Sequence, residues 1–197
     1  MVAAARPTHP TFEDLYREIQ RLPEGTAGQI LEPGVVQRTM GRPGVAHRHT
    51  AFEMSVSLRR FSKSGGGSGW WIEIEADLRL LGDRLIIPDL CGFRVERVPE
   101  RPAMNPITVV PDWCCEVLSP STAVTDRKLK LPLYAQAGVG WIWLVDPITH
   151  SIEVYENVNG RPVLSTVVDG AYTGAIEPFG EGFALESWWW STPPLED

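Results

Sequence analysis

The sequence lacks any long run of apolar residues. Its longest charge-free stretch, residues 131–145, contains a proline and two glycines and is too short to span a bilayer. The opening residues, MVAAARPTHP, also lack the apolar segment of a secretory signal. We therefore expect a cytoplasmic protein without a membrane helix.

Cysteine is scarce, and the chain has no excess of positive charge. The three cysteines, Cys91, Cys114 and Cys115, show no spacing typical of a metal site, so we expect reduced core residues. A formal net charge of −7 argues against a protein that coats nucleic acid through a broad basic surface. It does not exclude an enzyme that meets a phosphate locally through a metal ion.

The composition is that of a soluble globular protein, and the length of 197 residues predicts one domain over residues 1–197. Thr11 and Asp14 resemble a capping pair at the start of an amphipathic helix. Residues 28–36 predict a short strand or a hairpin at the sheet edge. Helical spacing of apolar residues predicts a second helix over residues 49–61, followed by a flexible Gly-rich connection.

The rest of the chain predicts strands with one further helix. Alternation of apolar and polar residues indicates a strand over 70–80, and further strands are predicted at 83–93, 108–119, 141–147 and 151–157. The helix is predicted over 125–137, with Gly138 as its end, and residues 160–190 predict a short strand, loops and a Trp-rich tail. This order predicts an α/β (α+β) fold with a central mixed sheet flanked by helices.

One carboxylate, Glu116, stands in an otherwise apolar or small-residue part of a predicted strand, WCCEVLS. Asp112 on the same strand lies about 13 Å away along the backbone, which is too far for sharing one ion. Asp89 lies at the end of a different predicted strand, and adjacent strands are about 4.8 Å apart. Because two close carboxylates repel unless a cation or proton compensates, Asp89 and Glu116 predict a divalent-cation site.

The predicted helix carries a polar stripe at four-residue spacing, formed by Asp126, Lys130 and Tyr134. An apolar stripe, Leu129 and Leu133, lies beside it and is expected to pack on the sheet. Lys130 then lies at the border of the packed face and can reach towards Glu116. The alternative is a surface ion pair between Asp126 and Lys130, worth about 0.3–0.5 kcal/mol. For Tyr134 we expect a packing role, with a hydrogen bond to a phosphate as the alternative.

Several motifs follow one another in a family-like order: PDL at 88–90, EVLSPST at 116–122, D-x-x-x-K-x-x-x-Y at 126–134, AGV at 137–139 and WIWLVDP at 141–147. This set resembles the Uma-two family of restriction-endonuclease-like proteins within the PD-(D/E)XK nuclease superfamily, over roughly residues 11–190. The resemblance implies a restriction-endonuclease-like core and a Mg²⁺-dependent (or Mn²⁺-dependent) site that cleaves phosphodiester bonds, with DNA as the expected substrate.

The resemblance also implies roles for individual residues. Asp89 matches the Pro-Asp acid, and Glu116 matches the acid of the Glu-x-Lys motif. Leu118 stands where the superfamily has its lysine. In the resembled family that lysine is taken to have moved to the following helix, where Lys130 matches it. Lys128 is a weaker match because it is rotated about 200° around the helix.

The resembled nucleases commonly add an acid from the first core helix or strand. Glu53 on the second helix is one match, and Glu75 and Asp77 on the first long strand are others. Glu75 is preferred because it immediately precedes the Pro-Asp strand, so the expected metal ligands are Asp89, Glu116 and Glu75. The alternative is that these extra acids only face solvent. His47 and His49, in a loop-like stretch, are expected to cap the second helix or face water rather than bind metal.

The expected function is hydrolysis of DNA by a metal-dependent endonuclease, and two alternatives stay open. The acidic net charge and Leu118 also fit a catalytically inactive module that binds nucleic acid or a protein partner. In a purely structural alternative, Glu116 is a core acid paired to Lys130, Arg79 or Arg94.

The sequence is rich in tryptophan near its end. The run Trp188–Trp190, together with Trp141 and Trp143 on one strand face, predicts core closure or a homodimer interface. Base stacking is not expected, because no basic residues are interleaved with these rings.

Overall fold

A computed structural model of the protein describes residues 10–40, 44–65 and 69–191. The opening residues 1–9 and residues 66–68 of the expected flexible connection lie outside this part of the chain. The helices are α1 (Phe12–Ile19), α2 (Val45–Leu58), α3 (Ala123–Thr125) and α4 (Leu131–Ala137). None of the helices in the described residues has the length and apolar character needed to cross a membrane.

The strands form three groups along the chain, one after α1, one after α2 and one after α4. They are β1 (Thr26–Glu32), β2 (Val35–Met40), β3 (Trp70–Ile74), β4 (Leu78–Leu80), β5 (Arg84–Ile86), β6 (Leu90–Arg94), β7 (Trp113–Val117), β8 (Trp141–Asp146), β9 (Ser151–Val158), β10 (Arg161–Asp169), β11 (Thr173–Ile176) and β12 (Gly180–Ala184). The capping box predicted at Thr11 and Asp14 opens α1, and the predicted hairpin is β1–β2. Residues 160–190 hold more regular structure than the one short strand expected from the sequence.

The central sheet has six strands in the order β10-β9-β8-β7-β6-β3. Strands β7 and β8 pair in parallel, and the other neighbours pair antiparallel. The predicted mixed sheet is therefore confirmed. All five residues of β7 are buried, as expected for a strand covered on both faces.

Two predicted strands are each divided between this sheet and a second, four-stranded sheet of order β2-β1-β5-β4. The prediction of one continuous strand over 70–80 is wrong. Glu75 lies between β3 and β4 and has a φ of 48°, which interrupts the extended backbone. Pro88 lies between β5 and β6 and has no N–H to continue a ladder. Asp89 therefore lies in the connection between two sheets, one residue before β6, and not at a strand end.

A single helical segment follows β7 from residue 123 to residue 137. Between α3 and α4 it contains a π-helical turn, Asp126–Lys130, in which the N–H of Leu131 donates to the carbonyl of Asp126, five residues earlier. The next residue, Pro132, has no N–H to donate, and the chain accommodates it with a widened turn. Gly138 ends the segment with a φ of 96°, as predicted.

The tryptophan-rich tail closes the core. Trp188 is fully buried and Trp189 nearly so, in the cluster that also contains Trp113 and Trp143. The indole N–H of Trp188 donates to Ser57 Oγ of α2 at 2.9 Å. Trp188 and Trp189 are therefore part of the chain's own core, which is the first of the two roles predicted for this run.

Candidate active site

Glu116 lies on β7 with 2% of its surface exposed, and both of its carboxylate oxygens have partners. Oε2 accepts a hydrogen bond from Lys130 Nζ at 2.9 Å, and Oε1 accepts one from the Tyr134 hydroxyl. Neither Arg79 nor Arg94 is its partner. Arg79 pairs with Glu13, and the Arg94 guanidinium lies over the Trp70 ring.

Asp89 lies beside Glu116, one residue before the neighbouring strand β6 begins. The β6–β7 register pairs Leu90 with Cys115, and one residue further along each chain are Asp89 and Glu116. Asp89 Oδ2 accepts the backbone N–H of Val117 at 2.6 Å, which fixes the aspartate against the end of β7. The two carboxylates predicted to lie at matching heights are thus brought together, although Asp89 is outside the regular strand.

Lys130 lies between two carboxylates. Besides its hydrogen bond to Glu116, Lys130 lies 3.4 Å from Asp126 Oδ1 and donates to the Ile87 carbonyl at 3.1 Å. The alternative of a surface Asp126–Lys130 pair is wrong, because the two side chains are 2% and 8% exposed.

The helical segment meets the sheet with its polar stripe, which corrects the packing expected from the sequence. Asp126, Lys130 and Tyr134 are buried, whereas Leu129 and Leu133 are only partly buried. The reason lies on the sheet, where the carboxylate of Glu116 needs donors and charge compensation once it is buried. Tyr134 therefore does more than pack, because it donates a hydrogen bond to Glu116.

Burial shifts the pKa values in this cluster. Burial raises the pKa of Glu116 to about 8, with Lys130 and the Tyr134 hydrogen bond opposing the rise and the charges of Asp89 and Asp126 adding to it. Burial alone lowers the pKa of Lys130, but the carboxylates, Glu116 first, raise it to about 12. Burial also raises the pKa of Asp126. The site thus holds more acid than Lys130 compensates, which favours a bound cation.

His47 reaches the site from α2. The helix begins at Val45, four residues before the predicted start, so His47 and His49 lie inside it and neither caps it. The His47 side chain is 12% exposed, and its Nε2 lies 3.3 Å from Asp89 Oδ2. Burial lowers the pKa of His47, but the hydrogen bond and charge of Asp89 outweigh this and raise it overall. The expectation that His47 faces water is therefore wrong.

The third acid preferred from the sequence, Glu75, lies beside Asp89. Its backbone N–H donates to the Asp89 carbonyl at 3.1 Å. The other two acids are placed differently, since Glu53 is not among the residues around the Asp89 and Glu116 carboxylates and Asp77 accepts a hydrogen bond from Tyr16 at 3.0 Å. Lys128 is exposed.

A pocket of about 590 Å³ opens over these groups. Its walls come from the β1–β2 hairpin, the start of α2, the β5–β6 connection and the loop between β7 and α3. The ionisable side chains that line it are Arg38, His47, Glu75, Asp89, Glu116, Asp126 and Lys130. Two of these side chains are a lysine or an arginine. Arg38 pairs with Glu18 at 2.7 Å, whereas Lys130 pairs with the buried acids.

The donor chemistry of this pocket fits a hard divalent cation. Asp89, Glu116 and Glu75 supply carboxylate oxygens, which Mg²⁺ prefers. Each carboxylate has about four lone-pair sites, so Glu116 keeps acceptor capacity beside its bonds to Lys130 and Tyr134. Within residues 10–40, 44–65 and 69–191, no three His, Cys, Asp or Glu side chains already form a ligand cluster. Side-chain rotation is therefore required before three of them can share an ion.

The sequence analysis did not assign two residues, His47 and Asp126, to the site. A signal for His47 exists, because the buried residues Thr50, Met54 and Leu58 of α2 continue backwards at helical spacing to position 47. The four-residue spacing places Asp126 and Lys130 on one face of the helix. Whether that face meets the sheet or the solvent depends on Glu116, which lies on the sheet.

The arrangement defines a class of protein, an α+β fold of the restriction-endonuclease-like type with a carboxylate and lysine cluster at the middle of its mixed sheet. A crystal structure from Anabaena variabilis ATCC 29413, described as "a putative nuclease belonging to DUF820", shares this fold with a TM-score of 0.68. It is 23% identical to this chain, and the match covers 91% of this chain and 98% of that one.

The family model of Uma2, described as "Putative restriction endonuclease", matches residues 16–186. Because this match spans most of the sequence, the chain belongs to the Uma2 family. No curated protein matches the chain.

Proposed function

We propose that this protein is a metal-dependent endonuclease that hydrolyses DNA phosphodiester bonds. The observation that carries the proposal is the buried Lys130 ammonium, held 2.9 Å from Glu116 and directly beside the pocket that contains Asp89. Family membership supports a nuclease, and perturbed ionisable groups in a pocket are typical of a catalytic site. DNA as substrate and dependence on Mg²⁺ or Mn²⁺ are part of the proposal.

In this proposal Asp89, Glu116 and Glu75 hold the ion. When bound there, Mg²⁺ supplies Lewis-acid polarisation of the phosphate and lowers the pKa of a coordinated water. Lys130 donates a hydrogen bond either to the attacking water or to a phosphate oxygen on which charge develops. Tyr134 and Asp126 hold Glu116 and Lys130 in place through the contacts that they make with them.

The test is cleavage of supercoiled and single-stranded DNA by purified protein with Mg²⁺ or Mn²⁺, compared with the same reaction in EDTA. Glu116→Gln keeps the shape of the side chain but loses the charge, so we expect cutting to fall below detection. Glu53→Gln, an equal change on α2 outside the pocket, is the matched control and should cut normally. Undiminished cutting by Glu116→Gln would end the assignment.

A second candidate is a catalytically inactive module that keeps the nuclease fold and binds nucleic acid or a protein. It is favoured by the bonds from Lys130 and Tyr134 to both Glu116 oxygens, and by the absence of a formed ligand cluster among the described residues. It predicts no heat when Mg²⁺ or Ca²⁺ is titrated. A binding signal that disappears in Asp89→Asn would rule out this candidate.

Homodimer formation and a cytoplasmic location stay predictions. Trp188 and Trp189 are buried within the chain, so of this run Trp190, which is 41% exposed, is the ring left for a dimer interface. Sedimentation over micromolar concentrations tests dimer formation, and a single monomeric species throughout would reject it.

A further inference from the structure

We propose that His47 is a positioning residue that holds the Asp89 carboxylate so that its Oδ1 atom is left for the metal ion. The inference rests on the proposed function and deepens it, since it adds a residue from α2 to a site otherwise built from the sheet and the following helix.

Two nitrogen atoms lie close to one oxygen of Asp89. The N–H of Val117 lies 2.6 Å from Oδ2, and Nε2 of His47 lies 3.3 Å from the same atom. Among residues 10–40, 44–65 and 69–191, both contacts to this carboxylate are at Oδ2. A carboxylate held at one oxygen from two directions has a fixed rotation, and its other oxygen keeps its lone pairs.

The position of His47 is itself set by a packed helix rather than by a loop. Further along α2, Thr50, Met54 and Leu58 are completely buried. Thr50 Oγ1 donates to the carbonyl of Trp188 at 2.6 Å, which ties the helix to the core on the His47 side. A group that orients a metal ligand is most effective when its own position is fixed in this way.

His47 also carries a buried atom without a partner. Its Nδ1 has no hydrogen bond to the described residues, although almost no solvent reaches it. A buried polar group without a partner costs about 1–3 kcal/mol, so an imidazole is a costly side chain for packing alone. The contact of Nε2 with Asp89 Oδ2 is thus the polar interaction that holds this buried ring at the site.

The test is isothermal titration of Mn²⁺ into the full-length protein without DNA. His47→Ala and His47→Met both remove the donor, and the second keeps most of the volume in case the first does not fold. We expect each to weaken Mn²⁺ binding about 10- to 100-fold, as is typical when the partner of a metal ligand is removed. His47→Gln, whose amide can donate from a similar position, should recover most of the affinity.

His49→Ala is the matched control on the same helix. His49 contacts the Ser187 carbonyl at 3.0 Å and the Trp190 ring, away from the pocket, so Mn²⁺ affinity should stay within about twofold of wild type. Thermal unfolding in EDTA, run on every variant, separates a change of stability from a change of affinity.

The outcomes distinguish this inference from the proposed function. If wild type binds Mn²⁺ and cuts DNA while both donor-free variants bind as tightly as wild type, the role of His47 is overturned and the function stands. The positioning role is also overturned if His47→Gln binds as weakly as His47→Ala, since a directly coordinating imidazole would then be indicated. If wild type neither binds nor cuts, the proposed function fails and the inference fails with it.

Discussion

Two glutamates of the central sheet lie in the same row across the strands. Each forms an ion pair with a basic side chain of the same helical segment. Glu116 on β7 pairs in register with Leu144 of β8, and Leu144 pairs with Glu153 of β9. Arg127 binds Glu153 with two hydrogen bonds of 2.6 and 2.7 Å, and the two side chains are 38% and 22% exposed. Lys130 binds Glu116 at 2.9 Å, and those side chains are 8% and 3% exposed.

The two pairs differ in what else surrounds the acid. The hydrogen bonds from Arg127 lower the pKa of Glu153, and its remaining neighbour, Tyr155, donates a hydrogen bond at 2.6 Å. Glu116 shares Lys130 with Asp126 and lies beside Asp89, and burial raises the pKa of Glu116. One pair is a matched bridge at the protein surface, whereas the other is an unbalanced cluster beside a pocket. The imbalance, and not the ion pair itself, is what indicates a functional site.

Removal of the cation from each pair should show the largest difference. Lys130→Met leaves Glu116 and Asp126 buried without compensation, so at pH 8 in EDTA we expect a loss of about 3 kcal/mol or more in the free energy of unfolding. DNA cleavage should be lost as well. Arg127→Met, the equal change one turn earlier, should cost only about 1 kcal/mol or less. Urea unfolding of both variants measures this, and equal losses would contradict the comparison.

The elements of the fold could be predicted well because they depend on local signals. The capping box at Thr11, the Gly138 stop and the apolar run of β7 each act within a few residues. The division of the predicted strands at Glu75 and Pro88 could not be foreseen from alternation alone, because it depends on which of two sheets each half joins. Register between distant strands follows only after that choice.

The candidate site was predicted in its residue types more than in its geometry. Spacing and family resemblance selected Asp89, Glu116 and Lys130, which lie together in the structure. The face presented by the helix was predicted wrongly, because helical periodicity does not say whether a polar or an apolar stripe meets the sheet. His47 was placed in solvent because the start of α2 has no capping side chain to mark it.

The next difference is in the pH dependence of stability. The unfolded state releases the Glu116 proton at about pH 4.3, whereas the folded state keeps it until about pH 8. Between these values the folded state binds one more proton, so wild type in EDTA should lose stability as the pH rises, by a few kcal/mol at most. Glu116→Gln removes this group and should show a flatter profile. Parallel profiles from pH 5 to 8 in chemical denaturation would argue against a raised pKa.

A smaller effect is expected when the hydroxyl that supports Glu116 is removed. Tyr134→Phe deletes the donor to Oε1 but keeps the buried ring, so we expect a loss of about 1–2 kcal/mol in the free energy of unfolding. The pKa of Glu116 should rise further, because the hydrogen bond lowers it. Tyr155→Phe is the corresponding change beside Glu153, where partial exposure lets water replace the lost donor. If Tyr134→Phe loses no more unfolding free energy than Tyr155→Phe, the two hydroxyl groups support their glutamates equally and this prediction fails.

The smallest effect should come from Glu153 itself. Its pKa is lowered in the folded state, so its contribution is present above the unfolded pKa of about 4.3 and is lost as the pH falls below that value. Because the pair is partly exposed, Glu153→Gln should cost about 1 kcal/mol or less at pH 7, and cleavage of DNA should be unchanged. The gap between wild type and variant should close in acid, which is opposite in direction to the Glu116 profile. Urea midpoints measured from pH 3 to 7 test this, and a gap that widens in acid would show that the two glutamates are not electrostatic opposites.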